Sequence, residues 1–385
     1  MQNPFKPTAG RIPPVLVGRE DIISDFDYAM MDGVGSPGRL MFITGARGVG
    51  KTVMLDTLGT RARQQGWEVI DETADCGFIQ RLVDTLAGKE DAHISAYNMP
   101  ELGVDGGFGK VELNLGRVEL DRREERPLTL RRAVGERLDE MDESSQGILI
   151  TLDEVQSGSM DEIRALSIAM QHLIREGRNV ALIFAGLPSA VNEVLSDKAI
   201  RFLQRAERYH LGSVPVEKVL EAFEESFGGE KKAGMETLIR LTKATHGYPF
   251  MIQLVGYWAW RLSEINGHGE WVTEEDAEQG IERAKVKLGD MVHMPALRKL
   301  PAQAINYLLA MSVDDDVSNT GEVARRMNRS PQFGNVYRTM LIENDLIEPV
   351  AYGKVAFKMP YLRDYLREHG AYLQMRENIS EMAGE

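Results

Sequence analysis

The sequence predicts an α/β domain on a parallel sheet, then a small helical domain, then a compact module of three helices and a hairpin. Three observations carry this prediction. Strand-sized apolar runs alternate with helix-spaced segments over roughly the first two hundred residues, the pattern of a parallel sheet covered on both faces. A glycine-rich stretch, GARGVGKT (45–52), joins one of those strands to the helix after it. Beyond about residue 215 the pattern turns helical, and the order over 301–360 is helix, helix, helix, hairpin, that of a winged helix-turn-helix.

The elements follow in chain order. Residues 1–17 are proline-rich and read as an extended arm. REDIISDFDYAMMD (19–32) spaces Ile22, Ile23, Phe26 and Met30 for one helical face. RLMFIT (39–44) is a short buried strand, followed by the glycine loop and a helix from Lys51 to Gln65. WEVIDET (67–73) is a second strand and FIQRLVDTLAG (78–88) an amphipathic helix. GILITLDE (147–154) is the third strand, MDEIRALSIAMQHLIREG (160–177) a helix, and NVALIFAG (179–186) the fourth strand. Between the second and third strands, VELNLGRVELD (111–121) reads as a hairpin turning at Gly116-Arg117. It pairs Leu115 with Val118 and Leu113 with Leu120, and is either a decoration or an arm that grips a partner.

VEKVLEAFEESF, METLIRLTKAT and PFMIQLVGYWAWRL form the helical domain. In the last module, PAQAINYLLAM (301–311) and TGEVARRM (320–327) are helices, the second with Thr320 as the expected N-cap. SPQFGNVYRTMLIEND (330–345) is the third, with Ser330 capping and Pro331 in the first helical position. LIEPVAYGKVAFKMP (346–360) supplies two strands around Tyr352-Gly353. The expected division is 1–213 for the sheet domain, including the arm and a hairpin insertion at about 101–121, 214–289 for the helical lid, and 290–385 for the winged helix-turn-helix domain.

Composition narrows the function classes. The 385 residues suggest two or three domains, and 43% hydrophobic with 27% charged residues is ordinary for a globular chain. One cysteine, Cys76, excludes an internal disulfide framework. No apolar run approaches the length of a membrane span, and MQNPFKPTAGRIPP lacks the apolar core of a signal peptide, so a cytoplasmic location is expected. A net charge of −14 argues against nucleic-acid binding through the whole surface, though not through one basic module. The histidines show no metal-ligand spacing, and the methionines and YWAWRL (257–262) read as packing.

GARGVGKT has the phosphate-loop spacing of glycine, four residues, glycine, lysine and threonine, in the strand-to-helix context this motif needs. The backbone of Gly45, Ala46, Arg47, Gly48, Val49 and Gly50 turns its N–H groups inward around phosphates, and the helix opening at Lys51, Thr52 and Val53 adds its positive end. Lys51 reaches the β- and γ-phosphates, and the Thr52 hydroxyl ligates Mg²⁺. Asp153 and Glu154 emerge from the third strand as the second half of the site. Asp153 holds the metal and Glu154 orients or deprotonates the attacking water. The expected cofactors are therefore ATP or ADP with Mg²⁺, on a P-loop NTPase fold.

VLVGRE (15–20), just before the first helix, resembles the motif that opens the replication-initiator and STAND branches of the AAA+ ATPases. The resemblance spans about 11–265 and continues into the winged helix, which both branches carry. It implies that the backbone at Val17 and Gly18 lies against the adenine. HGYP (246–249) resembles the Gly-x-Pro of STAND proteins, whose proline lies near the adenine, where initiator-type enzymes carry a lid arginine; here none follows until Arg261. The other reading of Pro249 is simply a helix start. The resemblance also implies a polar residue at the tip of the fourth strand, but FAGLPS offers only Ser189, past that place. Both departures favour slow hydrolysis and a nucleotide-held switch. An arginine before the fifth strand that reaches a neighbouring subunit's γ-phosphate would be Arg205 or Arg208, with Arg201 a helical turn before Arg205; a solvated helix face is the alternative.

In the third helix of the winged module, Gln332, Asn335 and Arg338 share a face, flanked by Arg325, Arg326 and Arg329, with Lys354 and Lys358 in the wing. These are candidate contacts to double-stranded DNA. The expected function is an ATP-binding switch with slow Mg²⁺-dependent hydrolysis, whose nucleotide state controls the lid and winged helix, self-association and DNA binding. The alternative is a STAND-like signalling or defence regulator whose winged helix packs instead of binding DNA.

Overall fold

The computed structural model describes residues 2–8, 18–88, 129–141, 147–229 and 231–382. Val17 and the hairpin expected over 101–121 lie outside the described residues. Helix α1 (Glu20–Asp32) leads into β1 (Leu40–Thr44), α2 (Lys51–Gln64), β2 (Trp67–Thr73), α3 (Phe78–Leu86) and α4 (Leu130–Glu140). Then come β3 (Gly147–Asp153), α5 (Met160–Arg175), β4 (Val180–Gly186), α6 (Pro188–Ser196) and β5 (Glu207–His210). The five strands form one parallel sheet in the order β2-β3-β4-β1-β5, the P-loop NTPase arrangement.

The central strands are buried on both sides because helices cover both faces, which is why β3 and β4 read as unbroken apolar runs. The alternation survives in which core each residue enters. Ala181, Ile183 and Ala185 of β4 pack with α2 and the lid, while Val180, Leu182 and Phe184 pack with α3, α4 and α5. β5 lies at the sheet edge and is correspondingly polar, carrying Glu207, Arg208 and His210.

The helical domain comprises α7 (Val216–Ser226), β6 (Lys232–Ala233), α8 (Met235–Thr245), α9 (Pro249–Ile265), β7 (Trp271–Val272) and α10 (Glu274–Leu288). A π turn, Gly289–His293, and the short α11 (Met294–Leu297) connect it to the last module. That module is α12 (Ala302–Ser312), β8 (Ser318–Asn319), α13 (Thr320–Arg326), α14 (Pro331–Glu343), β9 (Ile347–Ala351), β10 (Lys354–Phe357) and α15 (Leu362–Met382). Three helices, with the short β8 between the first two and the β9–β10 hairpin after the third, the strands pairing antiparallel in the order β8-β10-β9, make it a winged helix-turn-helix.

Several details differ from the sequence reading. Asn319, not Thr320, caps α13: its side chain accepts from the amides of Gly321 and Glu322, and Thr320 is already helical. α4, α6, α10, α11 and α15 and the short strands β6, β7 and β8 escape the sequence reading, the strands because two residues carry no periodicity. The start of the extended arm is pinned by one side chain. Phe5 is buried between Phe223 and Phe227, 5.8 and 5.3 Å away, and lies so close over Gly256 that a Cβ there would sit 2.4 Å from the ring.

One apolar cluster runs from β1 and α2 through Phe223, Met251 and Trp260 of the lid to Tyr307 and Leu341 of the winged helix. His293 sits where lid and winged helix meet, 1% exposed, with its Nε2 3.0 Å from the Pro360 carbonyl and its ring against Tyr365. Burial pushes its pKa from 6.5 down to about 4. The unfolded chain therefore binds the proton more readily, and stability falls as pH drops from about 6.5 towards 4. Between pH 7 and 5 this linkage amounts to about 2 kcal/mol. Thermal unfolding at both pH values is expected to show a larger loss for the wild type than for His293→Phe; equal losses would rule this residue out as the cause.

Candidate nucleotide-binding site

The site lies at the carboxyl ends of β1 and β3. The loop after β1 holds Gly45, Gly48 and Gly50 at positive φ (150°, 74° and 94°), and α2 begins immediately at Lys51. This is the backbone that turns amides towards a bound anion at a helix N-terminus. Lys51 is 7% exposed and its Nζ donates to the carbonyls of Gly45 (3.0 Å) and Ala46 (2.8 Å). Burial lowers its pKa from the usual lysine value, and the Glu154 and Asp153 carboxylates pull it partly back.

The fold brings together two expected metal ligands that are 101 residues apart in the chain. The Thr52 hydroxyl donates to Asp153 Oδ2 at 2.5 Å, and Asp153 Oδ1 accepts the Glu154 amide at 2.7 Å. A hydroxyl and a carboxylate in contact form a hard-oxygen pair that fits Mg²⁺, with water and phosphate oxygens completing its shell. Asp56, one turn along α2 from Thr52, was not anticipated. Its pKa is raised by burial first and then by the Asp71 and Asp153 charges, so it is electrostatically coupled to the Asp153 carboxylate. An acid four residues after a phosphate-loop threonine was the only available signal.

Glu154 takes a left-handed conformation, φ 54°, unusual for a residue with a long side chain. Its carboxylate accepts a hydrogen bond from Gln156 Nε2, and Gln156 Oε1 accepts from the Leu187 amide at 3.0 Å, just beyond the tip of β4. Ser189 lies inside α6, beyond that tip. Sequence reasoning passed over Gln156 because nothing in the spacing of Glu154 and Gln156 shows that β4 ends beside them.

HGYP lies directly against the phosphate loop. Thr245 ends α8, His246 and Gly247 turn the chain with φ 48° and 66°, and Pro249 opens α9, where its missing N–H has no intrahelical partner to lose. The Tyr248 hydroxyl donates to the Arg47 carbonyl and the Phe250 amide to the Gly48 carbonyl at 3.2 Å. Tyr248 is buried, which pushes its phenol pKa well up and keeps it a neutral donor. A Cβ at Gly48 would lie 2.5 Å from the Tyr248 oxygen, and one at Gly247 2.2 Å from the Val214 carbonyl. Gly18 (φ 70°) comes against Val214 and Pro215, so the chain before α1, the start of the lid and the HGYP turn converge beside the loop. Arg19 anchors this corner through the Gly212 carbonyl at 2.5 Å.

The winged helix reaches the same region. Lys358 Nζ bonds Asp345 Oδ1 at 2.6 Å and approaches His210 Nε2 at 3.2 Å, and His210 Nδ1 lies 3.3 Å from Thr44 Oγ1 at the end of β1. Burial keeps the His210 pKa low, with Asp345 opposing and Lys358 adding to the effect.

Two sets of expected residues need correction. Arg208 does not precede the fifth strand: it pairs with Phe42 inside β5 and donates to the Gln204 carbonyl at 2.9 Å. Arg205 does precede the strand and is exposed, but 198–205 is a 3-10 segment kinked at Ile200, so Arg201 and Arg205 do not stack as on an α-helix. In the winged helix, Arg326 is held by Asp314 at 2.6 and 2.7 Å and by the Ala310 carbonyl at 2.8 Å, which leaves little of its fork for a phosphate. Arg338 is half-buried beside Asn335. Arg325, Arg329, Gln332, Asn335 and Lys354 are exposed, with Arg329 over the Phe333 ring.

Comparison with known proteins supplies the context. Residues 15–183 match the AAA ATPase domain, and residues 290–366 match a domain of unknown function (DUF8462). No curated protein matches the sequence. Among solved structures, the ORC2 protein of Aeropyrum pernix in its ADPNP-ADP complexes is similar with a TM-score of 0.61 at 13% identity, over 96% of this chain and 97% of that one. Its ADP form gives 0.53 at 14% identity, over 97% and 99%. At such identities the likeness is one of fold.

Proposed function

From the premise that residues 15–183 are an AAA ATPase domain, we propose that the chain is a switch held by ATP and Mg²⁺ and reset by slow hydrolysis. The observation that carries this reading is the bonding of the lid to the phosphate loop itself, Tyr248 to Arg47 and Phe250 to Gly48. A loop that closes on phosphates cannot move without loading or releasing those two bonds, so nucleotide state and lid position are linked.

The residues divide the work as follows. The loop amides and Lys51 bind the phosphates, and Thr52 and Asp153 hold the metal. Held there, Mg²⁺ would supply positive charge against the negative charge that develops during phosphoryl transfer. Glu154 orients the attacking water and takes its proton. Gly18 and Pro249 line the base end, where the sequence alone assigns Val17 as well. Motion of the lid is passed to the winged helix through the shared core and the Tyr361 hydroxyl, which donates to the Ala244 carbonyl of α8 at 2.8 Å, while the His210–Lys358–Asp345 contact ties the winged helix to β5, and Arg205 completes the site of a neighbouring copy.

In this reading the exposed side chains of α13, α14 and the wing meet duplex DNA in one nucleotide state. A second reading, in which the winged helix only packs, is favoured by the internal engagement of Arg326 and Lys358. Sedimentation velocity separates them. The wild type, with and without ATP and duplex DNA, is expected to co-sediment with DNA at low salt, to release it steeply as salt rises, and to self-associate with ATP unless Arg205 is alanine. DNA that never co-sediments leaves the packing reading; ATP that never changes the sedimentation coefficient removes the association step.

A further inference from the structure

We infer that Gln156 is a positioning residue for ATP hydrolysis, aiming the Glu154 carboxylate at the attacking water by tying it to the end of β4. This inference rests on the hydrolytic reading above and adds a residue to it.

The carboxamide is fixed at both ends. The Leu187 amide can only donate, so the amide oxygen must face it, and the –NH₂ is then left for Glu154, which can only accept. The orientation follows from the partners. Glu154 itself sits at positive φ, a conformation retained where the surroundings over-determine it. Space is arranged to match. A Cβ on Gly186 would meet Gln156 Oε1 at 3.0 Å and Val155 Cβ at 3.1 Å, so the last residue of β4 leaves room for the Gln156 side chain by having none. Val155, 2% exposed, anchors the turn between the two. The strand ending in the metal ligand Asp153 and the strand beside it are thus joined by one side chain, and that side chain ends on the carboxylate adjoining the metal position.

Gln156→Met preserves length and bulk but removes both hydrogen bonds. It is expected to lower kcat by about tenfold or more while leaving the nucleotide Kd within about twofold and the melting temperature nearly unchanged, because only the approach of water is misaimed. A double-mutant cycle gives the readout that a packing role would not move. In the Glu154→Gln background, single-turnover ATP hydrolysis is expected to be insensitive to Gln156→Met, since the group being aimed is already gone. Equal or faster turnover in Gln156→Met, or the same fractional loss in both backgrounds, overturns the inference. Its failure is distinct from failure of the hydrolytic reading, which shows as a wild type that does not hydrolyse ATP or as hydrolysis indifferent to Glu154→Gln.

Discussion

Lys51→Met is expected to weaken binding of ATP and ADP by about 100-fold or more, equivalent to about 2.7 kcal/mol, while the nucleotide-free protein unfolds within a few degrees of the wild type. Both halves follow from one fact. The ammonium is almost wholly removed from water, and its pKa is depressed for that reason, so the folded chain without ligand disfavours the charge. That burial works against the charged form in the folded chain; the charge becomes favourable when phosphate oxygens replace the Gly45 and Ala46 carbonyls as its partners. Methionine removes the cost together with the benefit. Titration with a fluorescent adenine nucleotide, alongside thermal melts, measures the two effects separately. Unchanged affinity would mean that nucleotides do not bind at this loop.

Glu154→Gln is expected to cut steady-state hydrolysis by about 10²–10⁴-fold, the range for losing a general base, and to leave ATP affinity near the wild-type value. Glutamine keeps the size of the side chain and the backbone conformation at φ 54°, and still offers an oxygen to Gln156. What disappears is the capacity to take a proton. After incubation with ATP and Mg²⁺, mass analysis of nucleotide released from the denatured variant should find ATP where the wild type yields ADP. ADP in both, produced at equal rates, would rule out Glu154 as the base.

The two variants also separate occupancy from turnover. If the lid is driven by occupancy of the loop, Glu154→Gln should hold the ATP-bound arrangement and Lys51→Met should never reach it. The Tyr248–Arg47 bond is the part of the lid that would register the difference first.

Much of this was legible in the sequence because it is encoded locally. The strand–loop–helix at 40–64 and the apolar run ending in Asp153 need only short-range patterns, since glycines permit the loop conformation and buried parallel strands demand continuous apolar residues. Ser330-Pro331 likewise specifies a helix start through bonds within its own turn. The Gly-x-Pro at 247–249 marked a helix start, but not what the helix start touches.

Tertiary structure alone decided which distant groups meet. Nothing near Tyr248 indicates that its hydroxyl ends on Arg47, 201 residues earlier, and nothing near Gln156 indicates that Leu187 stands beside it. Arg326 and Lys358 read as free cations until Asp314 and Asp345 are placed against them. The physical reason is the range of the forces involved. Helix caps, glycine turns and apolar periodicity act over a few residues and leave their mark in order along the chain. Hydrogen bonds and ion pairs between domains depend on where a packed core sets whole elements, and the core's preference for volume and apolarity does not specify in sequence which polar groups it will bring into contact.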